Sequence, residues 1–415
     1  MTSTVVKAAD AAQFLSFLPR MLGYRPFRSL VVVPFHGPRS LGAMRFDLPT
    51  TGDDPVDAIA ATVIGTVCRL PDADAVAAIV YTDARFADGG RMPHRALLRA
   101  VERRADACGL RTADLLCVAA DAWGSALDPE CPPTGRALEE LETDDPRLAE
   151  LPLPRGDQLA GSELPPGSAR DRRAVATALR ALEEAIGTLC GQDPDADGPV
   201  RDGLGEPSFE DVTLPADLGP VPGPLDDGLT DEGPADPPAR VDPRALATAC
   251  RLDDLPGFFE DVLTTAEPDA YETAAVVWCL SRPSLRDVAL VQWSGNVSEG
   301  DEALDAQLRW EDGEDYPAHL AARMWGEGDR PQPARLEDAL ALTRHAAALA
   351  PRELRPGPLA MCAWLAWALG RSTHAWAYAD RAYEIDPEHG LAQILLSFVH
   401  AGHLPEWAFR HGSAG

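Results

Sequence analysis

The chain has one lysine, Lys7, among 37 basic residues. Its cations are therefore almost all arginines. A phosphate-binding loop that sets a lysine behind glycines is excluded, because Lys7 stands far from any glycine-rich turn. Eight cysteines occur, Cys68, Cys108, Cys117, Cys131, Cys190, Cys250, Cys279 and Cys362, and no two form a CxxC pair. That argues against a zinc ribbon and against a thioredoxin-type dithiol. Neither HExxH nor GxSxG is present, so the common zinc-protease and hydrolase signatures are missing too. No apolar run approaches the roughly 20 residues of a membrane span. The N-terminus "MTSTVVKAADAAQFLSFLPRM" lacks the long apolar core and small-residue cleavage site of a signal peptide. Positive charge is scarce: 37 basic residues face 66 acidic ones, for a net charge of -29. Repulsion from phosphates then disfavours non-specific binding to nucleic acid or anionic lipid. The densest basic runs, "RRADACGLR" and "RDRR", are short and interrupted. Dispersed thiols inside apolar patterns fit a reducing compartment, and the expected location is cytoplasmic.

What is present reads first as an α/β domain. Phe14, Phe17, Leu18, Met21 and Leu22 follow helical spacing, and Gly23 is placed to cap that helix. "SLVVVPF" reads as a buried strand, "HGPRS" as a turn, and "LGAMRFDL" as an alternating strand with Met44, Phe46 and Leu48 on one face, together a hairpin. Asp54 before Pro55 starts a helix with Val56, Ile59, Ala60, Val63, Ile64 and Val67 on one side. "AVAAIVYTD" is the next strand, a helix runs from about Pro93 to Cys108, Gly109 stops it, and "DLLCVAAD" follows as a strand. Two strands joined through a helix imply a crossover and some parallel pairing. A further amphipathic helix covers 171 to 190. The fold expected is an α/β domain with a mixed sheet over 1–190, a linker over 191–242, and a mainly helical domain over 243–415.

The linker expectation rests on composition. Residues 192 to 240 are dominated by Asp, Pro and Gly with few aromatics, too little apolar surface to offset chain entropy, which predicts disorder. Beyond them the pattern is helical throughout. Ala339, Ala346 and Pro351 recur as Ala375, Ala382 and Pro387, 36 residues on. That is close to the tetratricopeptide period of about 34, in which small residues let paired helices approach and proline ends the second. Tetratricopeptide-like hairpins are therefore expected at about 334–401.

Several residue groups invite a functional reading. "DPDADG" offers Asp193, Asp195, Asp197 and Gly198 like the start of a calcium loop, but its twelfth position is Leu204 and prolines interrupt it; a solvated acidic segment is the better reading. Asp47, Asp83 and Asp121 fall at the ends of three expected strands, where open α/β sheets bind ligands and clustered carboxylates hold magnesium. The plainer reading is that aspartate is common where strands turn into loops. His400 and His403 lie near a helix end and read as surface groups. In "GPLAMCAWLAWALG", Leu359, Cys362, Ala363 and Ala366 form a packing stripe, leaving Trp364 and Trp367 on a neighbouring face as candidate anchors for a protein partner. Packing against the helices of 243 to 330 is the competing role for them. "DAWGSALDPECPPTG", residues 121 to 135, has the look of a metal knuckle or a lid, yet one thiolate cannot build a structural zinc site.

"FLPRMLGYRPFRSLVVV", "DAWGSALDPECPPTG", "GPLAMCAWLAWALG" and "DRAYEIDPEHGLAQILLSF" together resemble the actinobacterial domain-of-unknown-function 4192 family. The resemblance spans nearly the whole chain apart from the acidic segment. It implies a cytoplasmic protein with no assigned catalytic residues. In that family the segment matching residues 121 to 135 often carries several cysteines before a Pro-Gly turn. Here only Cys131 remains, so a stiff structural loop over Trp123 is expected.

The function expected from the sequence is a non-enzymatic interaction or regulatory protein with an unidentified protein partner. No catalytic, cofactor-binding or metal-binding residue is assigned, and neither nucleic acid nor membrane is an expected partner. The alternative is an enzyme acting on a small molecule or phosphoester, its site at Asp47, Asp83 and Asp121.

Overall fold

A computed structural model describes residues 10–49, 56–142, 151–191 and 241–410. The first helix, α1 (Ala11–Leu22), begins where the Asp10 carboxylate accepts the Gln13 N–H at 2.9 Å. It ends at Gly23, whose φ of 80° is left-handed and whose N–H returns to the Pro19 carbonyl. Both ends thus satisfy backbone groups that a helix leaves open.

Strand β1 (Ser29–His36) follows, with the two-residue β2 (Arg39–Ser40) and β3 (Met44–Asp47) folding back antiparallel on it. Strand β4 (Ala75–Tyr81) pairs antiparallel with β1, and β5 (Arg111–Val118) pairs parallel with β4. The short β6 (Trp123–Ser125) closes the far edge antiparallel to β5. The sheet order is β2-β1-β4-β5-β6, with β3 also on β1. The mixed sheet, hairpin and crossover are as the sequence pattern implied.

Near-continuous apolar runs in β1 and β4 follow from burial on both faces. Leu30 and Val32 of β1, with Val76, Ala78 and Val80 of β4, meet α2 (Val56–Val67) and α4 (Arg95–Ala107). Val31, Val33, Ala77 and Ile79 face α1 instead, alongside Leu15 and Leu18. The period of two sends alternate side chains into the two layers. The Asp54–Pro55 helix start lies outside the described residues.

The other regular elements among the described residues are helices. They include α5 (Ala169–Leu189), α6 (Pro243–Arg251), α7 (Leu255–Thr264), α8 (Ala270–Leu280), α9 (Pro283–Ser294), α10 (Val297–Glu311), α11 (Ala318–Met324), α12 (Pro333–Leu349), α13 (Pro356–Ala368), α14 (Ser372–Tyr383) and α15 (Gly390–His400). Helices α12 to α15 pack each on the next. Ala339, Ala346, Ala375 and Ala382 are all fully buried, as small residues at close helix contacts should be. Among the described residues no helix is long and apolar enough to cross a membrane.

One boundary differs from expectation. Helix α5 was expected within an α/β domain over 1–190, but its apolar stripe of Val175, Ala178, Leu179 and Leu182 packs with α6, α8 and α12 in the helical core. An amphipathic stripe requires a partner surface without saying which. Consequently the helices on either side of residues 192–240, α5 and α6, belong to one helical body; that segment, with its calcium-like "DPDADG", lies outside the described residues. The sheet and that body are bridged by residues 151–168. Arg155 N–H donates to the Gly23 carbonyl and Arg25 N–H to the Gly156 carbonyl, both at 3.0 Å. Further along, the Arg381 guanidinium donates to the Ser162 carbonyl at 3.0 Å and Arg344 grips the carbonyl of Glu163. A second tie is the Arg69 guanidinium, 3.8 Å above the Phe409 ring.

Candidate functional site

Strand register gathers one end of the sheet. Asp47 is opposite Ser29, Ser29 opposite Tyr81, and Tyr81 opposite Val118. The carboxyl ends of β3, β4 and β5 therefore lie along a single edge, and Asp47, Asp83 and Asp121 all stand there. They do not form one carboxylate site. Asp47 is bound by Arg45, with an Nη1–Oδ1 distance of 2.6 Å. Asp83 is bound by Arg28, whose Nε donates at 2.9 Å, and that hydrogen bond holds the carboxyl below its ordinary range. Asp121 accepts the backbone N–H groups of Phe86 and Ala87 at 2.9 and 3.1 Å, and so caps the four-residue α3 (Phe86–Gly89). Burial pushes the Asp121 carboxyl up, but those two amides and Arg85, 3.7 Å away, outweigh it and hold it below its usual value. Among the described residues no three metal-ligating side chains converge.

What the same edge does present is an open hollow of about 690 Å³ beside β4, lined by α3, the α3–α4 loop and the start of α4. Arg85, Arg91, Arg95 and Arg99 line it with His94, against one acid, Asp88. Arg99 is engaged by Glu102 at 2.6 Å and by the Ala126 carbonyl at 3.2 Å. Arg91 and Arg95 are exposed and make no ion pair among the described residues. His94 bonds the Thr82 hydroxyl at 3.3 Å and adopts a left-handed φ of 52°. Burial pushes its pKa down, with Asp83 opposing. The ring is thus biased toward its neutral form, leaving charge in the hollow to the arginines.

This basic lining escaped the sequence reading, which looked for consecutive cations. The signal present was Arg91, Arg95 and Arg99 at intervals of four; Arg95 and Arg99 share one face of α4, and Arg91 precedes it in the α3–α4 loop. Arg85 joins only through the turn between β4 and α3.

Residues 121 to 135 form the wall beneath that turn. Trp123 and Arg136 exchange backbone hydrogen bonds at 3.0 and 2.7 Å, closing the loop at its base. The Arg136 guanidinium pairs with Asp128 at 2.7 Å and lies over the Trp123 ring. Gly124 has no room for a side chain: a Cβ there would sit 2.7 Å from Cys131 Sγ. Gly135 combines a φ of 74° with a would-be Cβ contact of 2.6 Å to Ala122. Cys131 fills space against Gly124, and Phe86 and Met92 complete the contact.

Trp364 and Trp367 require a correction. Both are fully buried, and their indole N–H groups donate to the carbonyls of Met324 and His403 at 3.1 and 2.8 Å. Every residue of α13 is buried, so this helix has no solvent-facing side on which an aromatic anchor could stand. The partner-binding role assigned to these two residues is overturned; they are core. His403 stacks on Trp367 and His400 bonds the Leu396 carbonyl through Nδ1, so the two histidines serve separate contacts.

The described residues define a mixed α/β sheet body bridged to an all-helical one, with an arginine-lined hollow at the strand ends. Residues 12–202 match the model of a family described as a domain of unknown function, DUF4192, which supports the resemblance over that stretch. The C-terminal motifs quoted for it lie outside the match. No curated protein and no solved structure matches the chain.

Proposed function

We propose that this is a non-enzymatic regulatory protein of the cytoplasm whose sheet body receives a small anionic ligand, of the phosphate-bearing class, in the hollow beside β4. The observation that carries the reading is the concentration of Arg85, Arg91, Arg95 and Arg99 around one concavity in a chain of net charge -29. Among the described residues two of those guanidinium groups, Arg91 and Arg95, make no ion pair, and a planar fork of donors suits phosphate oxygens. The hollow also lies outside the carboxyl ends of parallel strands, the usual ligand position in such sheets. A phosphoester-cleaving site on Asp47, Asp83 and Asp121 has less support, because each carboxylate is engaged by its own arginine or by backbone amides. A protein partner belongs to the proposal as well. The successive packing of α12 to α15 suits tetratricopeptide-like hairpins, and Trp310, Trp325 and Trp376 are the exposed tryptophans of that body.

The test is calorimetric titration of the full chain with inorganic pyrophosphate and with a nucleoside triphosphate. Saturable binding that weakens with added salt is expected. The double variant Arg91→Glu, Arg95→Glu should weaken it at least tenfold without changing the thermal midpoint, because both side chains are exposed. Absence of binding, or binding indifferent to the double variant, would sink the assignment.

A further inference from the structure

The ends of α2 and α4 bring two cysteines together that are 40 positions apart in the chain. The helices pack side by side on the same face of the sheet. Cys68 follows the last residue of α2, and Cys108 follows the last residue of α4. Each backbone N–H completes the final turn, Cys68 to the Ile64 carbonyl at 2.9 Å and Cys108 to the Arg104 carbonyl at 3.1 Å. Two neighbouring helices on one face of the sheet therefore each end in a cysteine. Both cysteines are exposed, and the Cys108 thiol is close enough to Cys68 to raise its pKa.

We propose that Cys68 and Cys108 are a modification site, a dithiol that a hydroperoxide converts reversibly to an intramolecular disulfide. The chemistry balances in two steps. One thiolate attacks a peroxide oxygen, the O–O bond breaks, and the sulfur becomes a sulfenic acid while the other oxygen leaves as water or alcohol. The second thiol then attacks the sulfenic sulfur, forming the S–S bond and expelling water; the peroxide is the two-electron oxidant. A dithiol reductant reverses it by thiol–disulfide exchange.

The other cysteines lack this arrangement. Cys117, Cys279 and Cys362 are buried, and burial pushes each thiol up to about 12, which keeps them inert. Cys131 is half-buried against Gly124. Burial and the neighbouring Cys108 also raise the Cys68 thiol. The first oxidation is accordingly slow at neutral pH and faster above it, and proximity makes the second step efficient. The location gives the bond a consequence. Cys68 is followed by Arg69, whose guanidinium covers Phe409 of the helical body, so a bridge at Cys68 fixes the chain beside a contact between the two bodies.

The full-length protein is treated with a small molar excess of hydrogen peroxide, capped with N-ethylmaleimide and digested without reduction. The expected product is a cross-linked peptide pair joining Cys68 to Cys108, two hydrogens lighter than the reduced pair and absent after dithiothreitol. Cys190 and Cys250, exposed but outside this site, should remain maleimide-capped. The same oxidation should raise the thermal midpoint by several degrees in the native sequence and not in Cys68→Ser or Cys108→Ser. A second probe uses the reduced protein: phenylarsine oxide should bridge the two thiols at one equivalent, and neither serine variant should bind it. Capping of both Cys68 and Cys108 after peroxide treatment, or a link from either to a different cysteine, overturns the proposal. So does failure of the arsenical to bind the reduced native protein.

Discussion

The indole N–H of Trp367 donates to the His403 carbonyl at 2.8 Å while the two rings stack 5.8 Å apart. Trp367 also meets Trp364, Phe398 and Trp407, so one residue joins α13 to α15 and to the segment beyond it. Trp367→Ala should cost about 3–5 kcal/mol, the range for deleting a core aromatic. Urea denaturation followed by circular dichroism measures it. Trp367→Phe keeps most of the volume and should cost less, chiefly the lost hydrogen bond at roughly 1 kcal/mol. Unchanged stability in Trp367→Ala would return this residue to the surface.

The second prediction concerns acid. Burial lowers the pKa of His94, His345, His374 and His389. The unfolded chain, with histidines near pH 6.5, then binds more protons than the folded chain just below that pH. Stability contributed by the neutral rings is fully present above about 6.5 and is lost as pH falls toward the folded values. Urea midpoints should therefore decline from about pH 7 to pH 5. His374→Gln should flatten part of that slope. A midpoint that rises on acidification through this window would contradict the burial of these rings.

The third prediction addresses the bridge formed by residues 151–168. Its grip on the helical body includes carbonyl oxygens held by Arg344 and Arg381. The double variant Arg344→Ala, Arg381→Ala should speed amide hydrogen exchange across residues 158 to 168, leaving β1, β4 and β5 protected as before. Exchange that accelerates throughout the sheet would show that these arginines support more than the bridge.

Cleavage provides the fourth. The composition of residues 192–240 marks it as the first place a protease should cut. From sequence alone such a cut would free two separable fragments. Because α5 packs on α6 and α8, the nicked products should instead co-elute in gel filtration and part only in denaturant. Separation under native conditions would argue that α5 belongs with the sheet.

Legibility followed the reach of each physical signal. The runs "SLVVVPF" and "AVAAIVY" announced strands covered on both faces, and Gly23 and Gly109 marked helix ends, because those features are set within a few residues. The allegiance of α5 was not legible: Val175, Leu179 and Leu182 establish that a face is buried, while the covering surface comes from helices distant in sequence. Trp364 and Trp367 misled for a related reason. The stripe rule presumes a helix with a wet side, and α13 has none. The strand pattern placed Asp47, Asp83 and Asp121 at strand ends, but that those ends share one edge came only from the pairing of β3, β4 and β5. Their separate engagement was not legible either, since Arg28 and the amides of Phe86 and Ala87 are brought in by tertiary structure.

The position of α5 bears on how this architecture is inherited. The family match runs to residue 202 and so takes in α5, yet the surface that covers Val175, Leu179 and Leu182 belongs to helices from residue 243 onward. The matched stretch therefore includes a helix whose apolar stripe is covered from outside it. A fragment spanning 12–202 would display a bare apolar stripe and self-associate, whereas ending it before Ala169 would leave that stripe behind. Any relative that carries the matched region must also supply a cover for this helix, from its own downstream chain, a second subunit or another protein.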